Sequence, residues 1–314
     1  MITYKEEKDV RLIDQSCRLH NTAFPYDCVE CNIYTSFTLN DENFDQELNL
    51  FAVDEENRVR GFLLGVEIVK EPKEAVEKFK EYIWIKDLAI DPTLPPDTWR
   101  AVFMNLLSIF EEMVKKRGKK CIVLHAYAPY YFMPGINILY ENYVEVFELY
   151  GFRKQEDTVS YEVNLAEFYY PSRVRKIEQT LLSEGITFRR GREEEAVLIS
   201  EWVGKTFNNP FWRLEVLHSF DSKPPTIWIA DQSGDTIGFA VYLRMKRNEF
   251  GPTGVDPSKR RRGVGTILLF KALYDLKQLG FRYAVIPWTS HLFFYTQVPG
   301  VCRVKHYHIM VKTI

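Results

Sequence analysis

Val255-Asp256-Pro257-Ser258-Lys259-Arg260-Arg261-Arg262-Gly263-Val264-Gly265-Thr266 decides how the chain reads. An apolar strand end runs into a basic, glycine-containing loop. Val264, Ile267, Leu268, Ala272, Leu273 and Leu276 then recur on one face of a helix expected over about Gly263–Leu279. Glycines at 263 and 265 let a ligand approach main-chain N–H groups closely. A helix start adds several unpaired donors and about half a positive charge. With three arginines alongside, the loop has the composition of a diphosphate site. It is not a Walker A loop, because no Gly-Lys-Ser/Thr follows four spacer residues. It is not a Rossmann loop either, which would follow the first strand of a domain as Gly-x-Gly-x-x-Gly. A solvated basic turn is the plain alternative.

The surroundings of this loop recur upstream. Ala52–Leu64 and Ala230–Val241 each read as a strand, a polar turn and a second strand opening with Gly-Phe, at Gly61-Phe62 and Gly238-Phe239. Ala89-Ile90-Asp91-Pro92 matches Gly254-Val255-Asp256-Pro257, and an extra charged segment, Glu71–Tyr82, accounts for the longer spacing in the first copy. Each Asp-Pro precedes an amphipathic helix, over about Thr98–Arg117 in the first copy, and each helix stops at a glycine, Gly118 or Gly280. A buried-type strand follows, Cys121–Leu124 or Tyr283–Ile286. Each copy therefore predicts strand, strand, strand, helix, strand, helix, strand. Phe168-Tyr169-Tyr170-Pro171 breaks the first copy, and Ser172–Leu182 predicts a bridging helix. The expected fold class is α/β (α+β): two tandem domains, 1–168 and 186–314, joined by a linker helix within 169–185, each a mixed, mostly antiparallel sheet flanked by helices.

Bulk properties agree with two domains. The chain has 314 residues, 46% hydrophobic and 27% charged, which describes an ordinary globular protein. The first residues do not read as a secretion signal, and no run of about 18 apolar residues predicts a membrane span; the default location is the cytoplasm. The net charge of −2 hides an asymmetry. Residues 186–314 carry 19 Lys/Arg against 11 Asp/Glu, or +8, and the remainder carries −10. A basic second half points to an anionic ligand, either nucleic acid or a phosphate-rich cofactor. Five sparse cysteines argue against a disulfide framework. Cys28-x-x-Cys31, with Cys17 and His20 upstream, has zinc-like spacing, but Cys17 and His20 fall in an apparent helix and the connecting loop is short. No metal is expected, and these thiols read as buried or incidental.

Arg260-x-x-Gly263-x-Gly265, after a strand ending Val-x-Pro and before an amphipathic helix, resembles motif A of the GNAT superfamily of N-acetyltransferases. The resemblance covers residues 186–314 well and 1–165 weakly. It implies acetyl-CoA as co-substrate, no metal, and an enzyme that transfers acetyl to a primary amine of a small molecule or peptide by direct attack in a ternary complex. It implies that Arg260, Arg261 and Arg262, with the amides of Gly263, Val264, Gly265 and Thr266, hold the CoA diphosphate. The backbone of Thr253, Gly254 and Val255, on a strand that splays from its neighbour, would pair with the pantetheine and polarise the acetyl carbonyl. Tyr295, on the helix expected after the fifth strand, is implied as the acid at the leaving sulfur. Glu249 lies 11 residues before Arg260 on a strand expected over 247–255, and is implied as the base. It shares strand parity with Thr253 and Val255. His291, on the same expected helix face as Tyr295, and a water relay remain open as alternatives.

The first copy serves as a control. Pro95 stands opposite Arg260, Thr98 opposite Gly263, Arg100 opposite Gly265 and Trp84 opposite Glu249. Its loop lacks both glycines and the arginine cluster, prolines remove amide donors, and Asp97 would repel phosphate. The chain is in this respect similar to tandem family members of the mycothiol synthase type, with one working and one worn domain. A different class of function, an acyl-CoA-binding sensor or regulatory module without turnover, is the alternative. Nucleic-acid binding through Lys259–Arg262 is not expected, since the turn lacks aromatic stacking neighbours. The acceptor amine is not written in the sequence.

Overall fold

The computed structural model describes residues 2–6, 10–243 and 248–314. Contacts divide the chain into two units. One runs to Thr158 and takes back His306–Ile314; the other is Val159–Lys305.

The first unit contains β1 (Thr3–Glu6), α1 (Val10–Ala23), α2 (Cys31–Leu39), β2 (Asn49–Val53), β3 (Val59–Val66), α3 (Lys73–Lys78), β4 (Tyr82–Ile90), α4 (Pro96–Lys116), β5 (Cys121–Leu124), β6 (Ile136–Asn137), α5 (Glu141–Leu149) and the start of β7 (Arg153–Asn164). Strands β1 to β4 pair antiparallel in sequence order, and β4 pairs parallel with β5. Both β2 and β3 are apolar runs rather than alternating ones, because α1 and α4 both pack on this sheet. The 3.6-residue stripe of α4 supplies Val102, Phe103, Leu106, Leu107, Phe110 and Val114 to that core.

The second unit holds the rest of β7, then α6 (Ser172–Ser183), β8 (Ile186–Arg190), α7 (Ala196–Phe207), α8 (Pro210–His218), β9 (Ile227–Gln232), β10 (Asp235–Tyr242), β11 (Phe250–Val255), α9 (Val264–Gln278), β12 (Tyr283–Thr289) and the start of β13 (Val301–Thr313). Strands β8 to β11 form an antiparallel sheet in sequence order, while β12 pairs antiparallel with residues 159–164 of β7. Helix α9 is buried on more than the expected face. Its sheet side carries Val264 and Leu268, and Phe270 packs on Phe168 and Tyr170 next to α6.

Three features differ from the sequence expectations. The contact units end elsewhere than the expected limits at 168, 185 and 314, because residues 159–164 of β7 pair with β12 in the second unit and residues 310–313 of β13 pair with β5 in the first. The helix expected after β12 is a single 3-10 turn, Tyr295–Gln297. Pro299 and Gly300 follow too soon for a longer helix to repay its nucleation cost. Finally, Cys17 and Cys31 form a disulfide, while Cys28, Cys121 and Cys302 are free thiols. Packing of α1 on α2 brings the two Cα atoms to 5.6 Å, a proximity that spacing alone did not reveal. Asn21 closes the intervening loop by gripping both the N–H and the carbonyl of Val29, at 2.8 Å each.

A crosslink closing a loop of this size stabilises by about 3 kcal/mol in the chain-entropy description. The expected outcome is that Cys17→Ser lowers the midpoint of denaturant unfolding relative to the oxidised protein. Adding a reductant should then shift the parent protein but not the variant.

Candidate active site

The site grows from the edge of β11. On one side β11 pairs with β10, with Val255 opposite Gly238, Gly254 opposite Phe239, Thr253 opposite Ala240 and Phe250 opposite Tyr242. One extra residue lies on β11 between the last two pairs, a bulge at Gly251-Pro252. On the other side, among the described residues, β11 meets β12 only just before it begins. Glu249 and Val285 form an isolated parallel bridge, and the Val285 N–H donates to the Asn248 carbonyl at 3.0 Å. On its other edge β12 pairs with β7 from Tyr283 to Thr289, and past Val285 no ladder joins β11 to β12 among the described residues. The β11 backbone from 251 to 255 is thereby left as a sheet edge, a row of groups able to pair with an extended ligand. Arg247, where the sequence places the start of this strand, lies outside the described residues.

Gly254 is needed on this edge. A Cβ there would stand 2.5 Å from the Phe207 ring, which packs over the strand together with Trp212 and Phe239. Thr253 donates its hydroxyl to the Phe239 carbonyl at 2.9 Å. The bulge also breaks the expected parity. Phe250, not Glu249, falls on the register of Thr253 and Val255.

Past Val255 the chain makes the turn that opens α9. Asp256 accepts from the N–H and hydroxyl of Ser258, bonds that lower its pKa and engage the carboxylate at the front of the loop. Arg260 is extended, Arg261 has φ +64°, and Gly263 caps α9 at φ +97°. The first intrahelical bond runs from Ile267 N–H to the Gly263 carbonyl. The amides of Val264, Gly265 and Thr266 thus precede the helical ladder, and glycine offers no side chain to cap them. A small anion at this helix start would meet donors and the positive end of the dipole.

Four consecutive cations surround the turn, and three are engaged. Lys259 Nζ donates to Gln232 Oε1 at 3.1 Å, Arg260 Nε to the Val255 carbonyl at 3.0 Å, and Arg262 pairs with Glu184. Arg261 is exposed and has no side-chain partner among the described residues.

Tyr295 lies at the other end of the opening. It is buried, with its ring 6.3 Å from Phe250 and 5.8 Å from Tyr161. Burial pushes its pKa up to about 12, partly offset by a hydrogen bond with Thr289. Thr266 Oγ1 donates to Gln297 Oε1 at 3.3 Å, tying the first turn of α9 to the turn that carries Tyr295. Phe294 stands 3.6 Å from where a Gly265 Cβ would be. Glu249 is buried beside Phe250. His291 is exposed and donates its backbone N–H to Thr289; without a helix it does not share a face with Tyr295. Sequence reasoning missed Gln297, Glu184 and Phe207. No local motif marks them, since each acts through a tertiary contact.

The first unit fills the equivalent region with its own side chains. Trp84, opposite Glu249 in the repeat, is buried and pairs with Val123. Further along β4, the Lys86 ammonium bonds Asp41 at 2.8 Å, and Asp87 accepts from His20 at 2.9 Å and Tyr34 at 2.7 Å. Burial opposes a charged His20, but its contacts with Asp87 and Asp27 together raise the imidazole pKa. Helix α4 starts with Pro95 and Pro96, so it presents fewer N–H donors than α9.

Comparison with known proteins agrees with this architecture. Residues 196–291, within the second unit, match the model of the acetyltransferase (GNAT) family. The whole chain shares its fold with solved structures from that family. One is a glucosamine N-acetyltransferase region of a fungal multi-domain β-N-acetylglucosaminidase, at TM-score 0.79 and 17% identity over 99% of this chain. This chain spans only 38% of that fungal protein. Another is a GCN5-related N-acetyltransferase from Sphaerobacter thermophilus, at TM-score 0.71 and 15% identity, covering 99% of this chain and 95% of that one. A tandem GNAT protein of the clavulanic acid biosynthesis pathway aligns at TM-score 0.61 and 13% identity, over 100% and 98% of the two chains. No curated protein sequence matches the chain. Among the described residues, no group of acidic, histidine or cysteine side chains is arranged to hold a metal, and no helix is long and apolar enough to cross a membrane.

The turn at Gly263 gives a direct test of this geometry. A Cβ there would sit 2.5 Å from Ile177 Cγ2 with the backbone in the left-handed region. Gly263→Ala is expected to cost about 1–3 kcal/mol of stability, read by urea denaturation. Adding Ile177→Ala should make the pair less destabilised than the sum of the single changes.

Proposed function

We propose that the second unit binds acetyl-CoA and transfers its acetyl group to a primary amine in a ternary complex. The observation that carries this reading is the pairing, within a GNAT-matching segment, of an open β11 edge with an uncapped α9 start. The edge suits the amides of a pantetheine arm, and the turn suits a diphosphate. Residues Thr253, Gly254 and Val255 form the first element. Residues 260 to 266 form the second, through the N–H groups of Val264, Gly265 and Thr266 and the nearby arginines. The Val255 carbonyl already accepts from Arg260 Nε, so Arg260 steadies the strand end as well as lending charge.

The chemistry requires an unprotonated amine, a donor for the developing oxyanion and a proton for the departing sulfur. The amine nitrogen attacks the thioester carbonyl, the C–S bond breaks, and the thiolate takes a proton from Tyr295. With its pKa held near 12, the Tyr295 hydroxyl keeps its proton across the working pH range and is a donor rather than a base. Glu249, at the point where β11 and β12 part, removes the proton from the amine, directly or through water. In the first unit the equivalent Lys86 and Asp87 are engaged by Asp41, His20 and Tyr34, so that unit is not assigned a cofactor. The solved structure named for glucosamine makes amino sugars the first acceptors to screen.

The test is calorimetry with acetyl-CoA, followed by a thiol-release screen over amines that begins with glucosamine. Tyr295→Phe should cut kcat by about 10²-fold or more while leaving acetyl-CoA affinity within a factor of two. Turnover without acetyl-CoA binding at this turn, or full turnover in Tyr295→Phe/Glu249→Gln, defeats the assignment. Unaltered acetyl-CoA binding with no turnover on any amine would favour a sensor.

The pH profile is a further check. A general acid acts while protonated, so activity depending on Tyr295 is present below its pKa and lost as pH rises through about 12. No falling limb from this residue is expected below pH 10. Tyr295→Phe should lower the plateau without moving the acidic limb.

A further inference from the structure

The four cations of the phosphate turn are not equivalent, and their partners say which one a ligand meets first. Arg262 is engaged by Glu184, the C-cap residue of α6. A carboxylate at a helix C-terminus opposes the helix dipole, and no basic residue in the last turn of α6 offsets it. The backbone N–H of Glu184 closes the end of α6, but its carboxylate does nothing for that helix; the carboxylate's favourable partner is Arg262, on the turn. Two other contacts hold α6 against the turn without Glu184. Ile177 fills the space beside Gly263, and Glu178 pairs with Lys271 on α9 at 2.7 Å. The carboxylate is thus an anion delivered to the mouth of an anion site by a helix already fixed there.

Arg261 is the complement. Its φ of +64° is a conformation that a non-glycine residue adopts at some cost, commonly at ligand clamps. Its side chain is exposed and without a partner among the described residues, whereas Lys259, Arg260 and Arg262 are each bonded.

We infer that Glu184 is a built-in competitor at the phosphate turn, holding Arg262 until a diphosphate displaces it and leaving Arg261 as the cation that the ligand meets first. The inference rests on the acyl-CoA reading of the same turn. It adds a positioning residue from outside the motif and ranks the arginines within it. Displacement exchanges one carboxylate for phosphate oxygens on Arg262, so no proton or covalent bond is involved.

The experiment is calorimetric titration of acetyl-CoA into the full-length chain and into Glu184→Gln, Arg262→Ala, Arg261→Ala and the double variant Glu184→Gln/Arg262→Ala, at low and at physiological ionic strength. Glu184→Gln removes the charge, relieves the dipole conflict and leaves the Glu178–Lys271 pair, so α6 is expected to stay docked; thermal melts check this. The expected result is that Glu184→Gln tightens binding about two- to fivefold at low salt and less at high salt. That gain should vanish when Arg262 is already alanine, which a merely structural effect of Glu184 would not do. Arg261→Ala should weaken binding about tenfold or more, and more than Arg262→Ala does in the parent chain. An unchanged or weaker affinity in Glu184→Gln, a gain that persists without Arg262, or Arg262→Ala outranking Arg261→Ala overturns the inference while leaving the acyl-CoA site standing. Absence of acetyl-CoA binding by the parent chain removes both.

Discussion

A strand that leaves its neighbour gives up a ladder of backbone hydrogen bonds, and each group so released must find another partner or water. The second unit accepts that cost where β11 and β12 separate after the single bridge between Glu249 and Val285. The neighbouring features follow from the separation. The bulge at Gly251-Pro252 bends β11 away, Phe207 and Phe239 cover its far side, and α9 begins where the strand ends. A chain that zipped these strands together would be more regular and would have no edge to offer.

The two copies show what that opening demands. In the first unit the equivalent stretch of β4 carries Lys86 and Asp87, which are neutralised by Asp41 and His20. Buried ionic groups are tolerable only when so matched, and once matched they have little left to offer a ligand. In the second unit the corresponding positions are Gly251 and Pro252, which bury no charge and leave the space for backbone chemistry. Divergence of the repeat thus proceeds by filling one opening and clearing the other.

Much of this was readable in the sequence. The repeated Asp-Pro before an amphipathic helix fixed the order of strands and helices, since 3.6-residue and continuous apolar patterns are strong signals over such lengths. The arginine–glycine turn was legible because what sets it apart is main-chain geometry, which glycine advertises. What stayed hidden was long-range. The Cys17–Cys31 bond depends on how α1 meets α2, the Arg262–Glu184 pair on where α6 docks, and the parity of Glu249 on one inserted residue in β11. The turn at Tyr295 is shorter than the helix that the family resemblance implies, because Pro299 and Gly300 stop it early.

The return of His306–Ile314 to the first unit has a consequence for biosynthesis. Because Met310 to Thr313 are the strand that flanks Cys121 to Leu124, this sheet cannot be finished on the ribosome before those four residues have been translated. Its exposed border must wait through the translation of the whole second half, a delay during which chaperones or the nascent partner segment have to shield it. Removing residues 310–313 would accordingly injure the unit whose other strands were made first.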